Sequence, residues 1–325
     1  MHHSVRRDRT KQFPVCELLK IIGVTLSVCI ALVVIKTEYS GMLLQNATYG
    51  MPALIQKGKV ENLFMGSSMF RQGLDIDTLC ENIGEDTYVL AYNGNQPVLE
   101  YVELKYLLDN GVKIENLYID MYAYSAVANP DISDEKLFME VGALEKWELW
   151  NRTRKNRIST DAEALWRIFV NGNNELILTW PFTGPLIDRQ FKQGGTLTKT
   201  SGATKEQLEE WIEPEITKLN AEQISAIEDI IELAQQNGIR VVFLETPKYE
   251  KIAKSETYLQ LMKEYYEIIC DENVGIVLCD ATATGIETVA NCVTYQFDNR
   301  HEEYFMDAIH LSSYGRSEYS KLVKR

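Results

Sequence analysis

Two serines, Ser67 and Ser68, are the residues best placed for covalent chemistry, because they follow Gly66 directly after the β-rich run VENLFM at residues 60–65. This pattern predicts a turn from a strand into a helix. A serine on such a turn exposes its hydroxyl at the helix N-terminus, where unpaired N–H groups and the helix dipole stabilise negative charge. Acyl transfer needs such a place, because an oxyanion forms beside the attacked carbonyl carbon. The alternative is that one of these serines only caps the helix.

A serine nucleophile needs a base, and the chain has 4 histidines. His2 and His3 lie in the N-terminal tail, which leaves His301 and His310. His301 lies in the charged run NRHEE, which is typical of a solvated surface, whereas His310 follows Asp307 by three residues. On a tight turn an aspartate at this spacing can hold the imidazole nitrogen that faces away from the serine. The pattern predicts a site formed by His310, Asp307 and one of the two serines; the alternative is an ordinary turn with a capping aspartate.

The elements that would position these residues alternate along the chain. Continuous apolar runs separated by amphipathic stretches indicate a parallel sheet with helices on both faces, so we predict a doubly wound α/β fold. Asn110-Gly111 and Asn237-Gly238 have the composition of helix C-caps that lead into strands. An interval at about residues 129–204 breaks the alternation and is interpreted as a helical, aromatic-rich insertion. The predicted strands are residues 60–65, 87–92, 116–121, 239–246 and 275–280, and the predicted helices are 98–109, 205–236 and 312–324.

The N-terminal part of the chain has a different character. An uncharged apolar run covers residues 21–35, and with Lys20 snorkelling the apolar stretch extends over residues 18–35, about the length of a short bilayer span. Four basic residues precede it (Arg6, Arg7, Arg9 and Lys11), so the positive-inside rule places the N-terminus in the cytoplasm. We therefore predict a cytoplasmic tail at residues 1–17, a transmembrane anchor at 18–36, a linker at 37–58 and an extracytoplasmic domain at 59–325. A cleaved signal peptide is the alternative, but no small-x-small cleavage pattern follows the apolar run.

Composition excludes some classes of function. The formal net charge of −14 and the absence of a basic patch argue against nucleic acid as a partner. The 6 cysteines include no C-x-x-C pair and show no zinc-binding spacing, so we expect no metal and no cofactor, and a metal-dependent hydrolase is set aside. For Cys270, Cys279 and Cys292, a bridge between Cys279 and Cys292, a bridge between Cys270 and Cys292, and free thiols all stay open.

Three ordered blocks resemble the SGNH/GDSL hydrolase superfamily: Gly66-Ser67-Ser68 after the first strand, Asn93-Gly94 after the second, and Asp307-x-x-His310 before the last helix. The chain looks most like the membrane-anchored branch that includes the DltD-type and AlgJ/AlgX-type proteins. This resemblance implies that Ser68 is the nucleophile, His310 the general base and Asp307 its orienting partner. It also implies an oxyanion hole formed by the N–H groups of Ser68 and Gly94.

The sequence departs from this family at the third block, which normally supplies an asparagine after the third strand. Residues 117–124 (LYIDMYAY) contain none, so either Asn93, Asn95 or a tyrosine contributes the missing oxyanion donor, or the oxyanion hole is weaker.

Two functions follow from these observations. The first is a membrane-anchored serine esterase or O-acyltransferase that acts through an acyl-Ser68 intermediate on a cell-surface polysaccharide or teichoic-acid-type polymer. The resemblance to DltD-type proteins implies a polytopic membrane O-acyltransferase as a partner. The second is a non-catalytic glycan-binding or scaffold protein of the cell envelope, which the missing asparagine favours. In that case the tryptophans of the aromatic-rich region could stack on sugars; they are Trp147, Trp150, Trp166 and Trp180.

Overall fold

Six parallel strands form the central sheet of the protein. A computed structural model describes residues 15–44, 49–127, 129–130, 141–154, 160–165, 168, 189–212, 214, 218–283 and 291–324. The strands of the sheet are β1 (Lys59–Gly66), β2 (Thr87–Ala91), β3 (Lys113–Asp120), β6 (Arg240–Leu244), β7 (Val274–Cys279) and β8 (Cys292–Tyr295). They lie side by side in the order β2-β1-β3-β6-β7-β8. A separate antiparallel hairpin consists of β4 (Phe191–Lys192) and β5 (Gly195–Thr196). The predicted α/β class, with a parallel sheet flanked by helices, is confirmed.

Helices cover both faces of the sheet. The described helices are α1 (Val15–Leu44), α2 (Met51–Lys57), α3 (Ser68–Gly73), α4 (Ile76–Ile83), α5 (Pro97–Asp109), α6 (Ala123–Val127), α7 (Ala143–Thr153), α8 (Asp161–Leu165), α9 (Lys205–Glu209), α10 (Ala221–Gln236), α11 (Glu250–Ala253), α12 (Glu256–Ile269), α13 (Asp280–Ala283) and α14 (Ser313–Ser320). Helix α5 packs against α7 and α10, whereas α14 packs against α3 and α4.

Burial on both faces explains why the central strands are apolar almost without interruption. Leu63, Leu117 and Phe243 lie on neighbouring strands and are fully buried. The chain enters the sheet at β1 and adds β2 on one side and β3 on the other. In open α/β sheets, ligands bind beside the carboxyl ends of strands at such a reversal of strand order.

The structure differs from the predicted strands and helices in three informative ways. The predicted helix at residues 205–236 is wrong as one element: α9 ends at Glu209, and α10 begins after Asn220, whose side chain accepts a hydrogen bond from the Glu222 N–H. Pro214 lies between them and cannot continue a helix, because it has no N–H group and its ring clashes with the preceding turn. Strand β8 and the β4–β5 hairpin were not predicted, since each is short. The last helix, predicted to reach residue 324, ends at Ser320.

The hairpin is attached to edge strand β2, where the Val89 N–H donates to the carbonyl of Gln193 (2.9 Å). Gly194 at its turn has a φ of 77°, and a Cβ atom there would lie 1.9 Å from the Val89 carbonyl oxygen. Only glycine fits this approach. Of the predicted insertion at residues 129–204, α7 and this hairpin are the main described parts; Trp166 and Trp180 lie outside the described residues, Trp150 is buried, and Trp147 is exposed.

The N-terminal helix α1 is 30 residues long. Among the residues that the structure describes, no helix has the length and apolarity needed to cross a membrane. The side chains of Cys16, Val33 and residues 36–44 are outside the described part of α1. The predicted cytoplasmic tail lies outside it as well, up to residue 14. Within the predicted linker, α2 belongs to the domain, because its Met51 and Leu54 are fully buried.

Candidate active site

The strand-to-helix turn after β1 presents Ser68. The backbone of Ser67 is extended and its hydroxyl accepts a hydrogen bond from the Met69 N–H (3.2 Å), so Ser67 is the N-cap of α3. Ser68 is the first residue of the helix and is partly exposed. The capping function therefore belongs to Ser67, which leaves the Ser68 hydroxyl available for another partner.

That partner is His310. The Nε2 atom of His310 lies 2.8 Å from the Ser68 Oγ atom, and the Nδ1 atom lies 2.8 Å from Oδ2 and 3.1 Å from Oδ1 of Asp307. With the Nδ1 proton donated to Asp307, Nε2 is an acceptor for the Ser68 hydroxyl proton; this tautomer is assigned from the hydrogen-bond network. The structure brings together the three residues that the sequence singled out, in the geometry of a serine nucleophile, a base and an orienting carboxylate.

A short closed loop holds Asp307 and His310. Phe305 and Leu311 form an isolated antiparallel bridge, and the Met306 N–H donates to the His310 carbonyl (3.0 Å). Phe305 and Leu311 are buried, so the base of the loop is anchored in the core. The side chain of His310 is 19% exposed and that of Asp307 is 44% exposed. The loop thus places the imidazole between the core and solvent, where it reaches Ser68.

The carboxylate of Asp307 is arranged to stay ionised. Partial burial raises its pKa, but this effect is outweighed by the hydrogen bond to His310, the charge of His310 and the N–H groups of Ile309 and His310, so that the pKa lies below the usual value of 3.8. Both N–H groups donate to Oδ1 at 2.9 Å. A carboxylate held in this way fixes the ring orientation and stabilises the imidazolium that forms during attack.

A second carboxylate, Asp120, supports the nucleophile turn from the end of β3. Its Oδ2 atom accepts hydrogen bonds from the Ser67 hydroxyl (2.5 Å) and from the Ser67 N–H (3.3 Å). Gly66 makes this approach possible, because a Cβ atom at position 66 would lie 2.4 Å from the Asp120 Cβ atom. The glycine before the two serines is therefore required for packing against Asp120.

The predicted oxyanion-hole residues have different positions. Among the described residues, the Ser68 N–H has no hydrogen-bond acceptor, as is usual at the first position of a helix. Asn93 and Gly94 form an exposed turn after β2, with Gly94 at a φ of 68°. This turn is fastened to the nucleophile turn, since the Tyr92 N–H donates to the Gly66 carbonyl (3.1 Å).

The side-chain amide of Asn95 is hydrogen-bonded to Gly66 and Glu103. Asn95 is buried, and its amide donates to the Gly66 carbonyl (3.3 Å) and to both carboxyl oxygens of Glu103 (3.2 Å each). These contacts use both amide hydrogens. The Asn95 side chain therefore braces the nucleophile turn, and its amide hydrogens are not free for an oxyanion.

Tyr122 lies where that asparagine would be expected, just after β3. Its hydroxyl forms no hydrogen bond with any described residue, and its ring packs edge-on against Tyr124 at 5.7 Å. Burial raises the pKa of Tyr122, as do the charges of Asp120 and Asp307, so the phenol keeps its proton. A protonated, unpaired phenol near the triad is a suitable hydrogen-bond donor.

A cavity of about 660 Å³ opens at the carboxyl ends of β7 and β8, and neither Ser68 nor His310 lines it. Geometry identifies the triad as the candidate site in preference to this cavity, because the triad brings a nucleophile, a base and an orienting group together. The cavity is lined by Glu250, Lys254, Asp280, Ala281, Gln296, Phe297, Asp298, Asn299 and Arg300.

The described part of the chain contains neither a cluster of metal-binding side chains nor a disulfide bond. No cluster of histidine, cysteine and acidic side chains there could hold a metal ion. Cys270, Cys279 and Cys292 are free thiols, of which Cys279 is buried and Cys270 exposed. Burial, with smaller contributions from Glu245 and Cys270, raises the pKa of Cys292 to about 11, which keeps it a thiol.

Sequence reasoning missed Asp120 and Lys248 as members of the site. Lys248 is 1% exposed, and its ammonium group lies 5.1 Å from the centre of the Tyr122 ring. Both residues had a usable signal, because each is a charged residue at or just beyond the carboxyl end of an apolar strand.

No protein-family model matches the chain, and no curated protein matches it either.

Proposed function

We propose that this protein is a serine esterase or O-acyltransferase of the SGNH/GDSL type that works through an acyl-Ser68 intermediate. One observation carries the proposal: Ser68 Oγ, His310 and Asp307 form a continuous hydrogen-bonded series with 2.8 Å at each link. The parallel sheet and the site at the carboxyl ends of its strands agree with this class.

In the first half-reaction, Ser68 Oγ attacks the carbonyl carbon of an ester or thioester while its proton passes to Nε2 of His310. The oxyanion is stabilised by the Ser68 and Gly94 N–H groups, with Tyr122 as an additional donor. When the tetrahedral intermediate collapses, the bond to the leaving group breaks and His310 returns the proton to that group. The acyl group is then bound to Ser68.

In the second half-reaction, water or a hydroxyl of the acceptor gives its proton to His310 and attacks the acyl-Ser68 carbonyl. Collapse breaks the bond to Ser68 Oγ, which takes the proton back from His310. Water as the acceptor makes the protein an esterase, and a polymer hydroxyl makes it a transferase. The same residues serve both outcomes.

The test is covalent labelling of the purified full-length protein with a fluorophosphonate probe. We expect wild-type protein to be labelled at Ser68, and Ser68→Ala and His310→Ala to remain unlabelled. His301→Ala is the matched control, since His301 is the other histidine of the domain, and this variant should react like wild type. Equal labelling of wild type and Ser68→Ala would reject the proposal.

The substrate that we propose is an acyl ester of a cell-surface polysaccharide or teichoic-acid-type polymer, with residues 18–36 as a membrane anchor and a polytopic O-acyltransferase as partner. The apolar side chains described in α1 are exposed in the isolated chain, for example Leu18 (53%) and Ile30 (56%), and a membrane would cover them. If the full-length chain leaves the membrane fraction in alkaline carbonate, the anchor is excluded.

A non-catalytic glycan-binding or scaffold protein is the second candidate, favoured by the commitment of the Asn95 amide to Gly66 and Glu103. Glycan binding that persists in both Ser68→Ala and His310→Ala, without ester hydrolysis by wild type, would select this function.

A further inference from the structure

Three charged side chains are buried beneath the nucleophile turn. Asp120 is 2% exposed, Glu245 1% and Lys248 1%. They lie near one another because β3 and β6 are adjacent strands, with Asp120 paired to Leu244 in the register of the sheet. A buried charge is costly unless other groups compensate it, so each of these side chains calls for a partner.

Glu245 is well supplied with neutral donors. Its carboxylate accepts hydrogen bonds from Tyr258 (2.9 Å), Thr282 (2.6 Å) and the Cys279 N–H (2.8 Å). These contacts join β6, β7 and the helices around them. Glu245 is therefore stabilised by several elements of the domain.

Asp120 has fewer partners. Both of its hydrogen bonds come from Ser67 and end on Oδ2, whereas Oδ1 is buried and has no hydrogen-bond partner in the described part of the chain. Without a nearby positive charge, a carboxyl group in such a place would take up a proton. A protonated Asp120 would be a weaker acceptor for Ser67.

Lys248 provides that positive charge. Its ammonium group donates to the carbonyl (2.5 Å) and hydroxyl (3.0 Å) of Thr246 and lies over the Tyr122 ring. Among the described residues, the hydrogen bonds of the Lys248 ammonium group go to Thr246 and Asp120 Oδ1 has no hydrogen-bond partner, so the charges of Lys248 and Asp120 interact at longer range through the low-dielectric interior.

We infer that Lys248 is a positioning residue for Ser68: its buried charge favours the ionised form of Asp120, which holds Ser67 so that Ser68 faces His310. The catalytic consequence rests on the proposed function, whereas the charge coupling stands independently of it. Lys248 and Asp120 touch neither substrate nor the reacting atoms.

The electrostatic environment supports this arrangement. Burial raises the pKa of Asp120 above its usual value, although the charge of Lys248, the two Ser67 hydrogen bonds and His310 act to lower it. Burial lowers the pKa of Lys248 below its usual value, although Glu245, Asp120 and Cys279 act to raise it. Burial raises the pKa of Glu100, which also faces Asp120, well above its usual range. Loss of the Lys248 charge therefore raises the pKa of Asp120.

The experiment measures the rate of Ser68 labelling by a fluorophosphonate against pH in the full-length protein. In Lys248→Met we expect the midpoint of the acid limb to move up by about 1 pH unit, because protonation of Asp120 now disables the nucleophile turn. Lys248→Gln, which keeps a donor toward Thr246, is measured in parallel in case Lys248→Met does not fold.

Two double variants identify the partner of Lys248. In Lys248→Met/Asp120→Asn we expect the midpoint to return to the wild-type pH, because the group responsible for the shift is gone. In Lys248→Met/Glu245→Gln the shift should remain. An unshifted midpoint in both Lys248 variants, or a shift removed by Glu245→Gln and not by Asp120→Asn, overturns the inference.

Thermal unfolding tests the charge coupling between Lys248 and Asp120 even if wild-type Ser68 is not labelled. Uncompensated Asp120 has a raised pKa in the folded state, so the folded state prefers the protonated form and loses stability as pH rises above the unfolded pKa. Lys248→Met should therefore lose more Tm at pH 8 than at pH 5, and Asp120→Asn in the same chain should reduce this difference, the remainder coming from Glu245, whose pKa the charge of Lys248 also lowers. A loss of Tm that is independent of pH overturns the coupling, whereas absent labelling alone rejects only the proposed function.

Discussion

The Ser68 hydroxyl oxygen and the Nε2 atom of His310 lie 2.8 Å apart, although 242 positions separate the two residues along the chain. One comes from the turn after the first strand of the sheet and the other from the loop before the last helix. Because α14 packs against α3, the two ends of the domain are held together beside the site.

Replacing Asp307 by asparagine tests the role of the orienting carboxylate. The amide keeps nearly the same shape but cannot hold the imidazole in the same tautomer, so we expect kcat for ester hydrolysis to fall by about 10³–10⁴-fold. Tm should change little, since the Asp307 side chain is 44% exposed. Esterase kinetics with a p-nitrophenyl ester measure the effect, and a fall of less than tenfold would show that Asp307 is not the orienting group.

The pH dependence of kcat/KM should show a single ionisation on its acid side. The general base must be free of its proton before Ser68 can attack, so kcat/KM falls toward acid pH. Asp307 does not contribute a second step in this range, because its pKa lies below 3.8. A logarithmic plot of kcat/KM against pH should therefore have a limiting slope of about 1. A slope of 2 would contradict this assignment.

A pair of glycine variants tests the oxyanion hole. Gly94 and Gly111 both have positive φ values, 68° and 78°, so alanine introduces similar backbone strain of about 1–2 kcal/mol at either position. Only Gly94 lies in the turn beside Ser68. We expect Gly94→Ala to lower kcat by at least about tenfold.

Gly111→Ala is the matched control, because a Cβ atom at position 111 meets no atom within 4 Å. It should lose a similar amount of stability and keep its kcat. Steady-state kinetics and thermal unfolding of the two variants give the comparison. Equal loss of kcat in both would remove Gly94 from the oxyanion hole.

Gly66→Ala tests the packing between the nucleophile turn and β3. The added methyl group would lie 2.4 Å from the Asp120 Cβ atom, and both are backbone-proximal atoms that cannot rotate away. We expect a loss of about 1–3 kcal/mol in the free energy of unfolding, together with slower Ser68 labelling, because Ser67 is moved away from Asp120. Denaturant unfolding and labelling rates check both parts.

Gly275→Ala is a suitable comparison on β7, where the nearest atom to the new methyl group, Val242 Cγ2, is 3.2 Å away and belongs to a side chain. Its loss of stability should be smaller, and labelling of Ser68 should be unaffected. If Gly66→Ala keeps wild-type labelling and stability, the tight approach of Asp120 is not needed for the site.

Much of the architecture could be predicted from local patterns. The apolar runs identified five of the six sheet strands, and the Asn-Gly pairs at 110–111 and 237–238 mark helix ends, with both glycines at positive φ. β8 was missed because only four residues form it, two of them exposed. The break between α9 and α10 was missed because helical periodicity on both sides of Pro214 concealed it.

Ser68, Asp307 and His310 could be singled out from the sequence by their residue types, by the scarcity of histidine and by their places relative to strands and helices. Those properties are local, so they can be read from the amino-acid sequence without knowledge of the fold. Only the tertiary structure decided that Ser67 caps the helix while Ser68 meets His310, that the Asn95 amide turns to Glu103, and that Asp120 and Lys248 lie beneath the nucleophile turn. These relationships depend on the register between neighbouring strands and on burial, which join residues distant in the chain and leave no periodic pattern in its sequence.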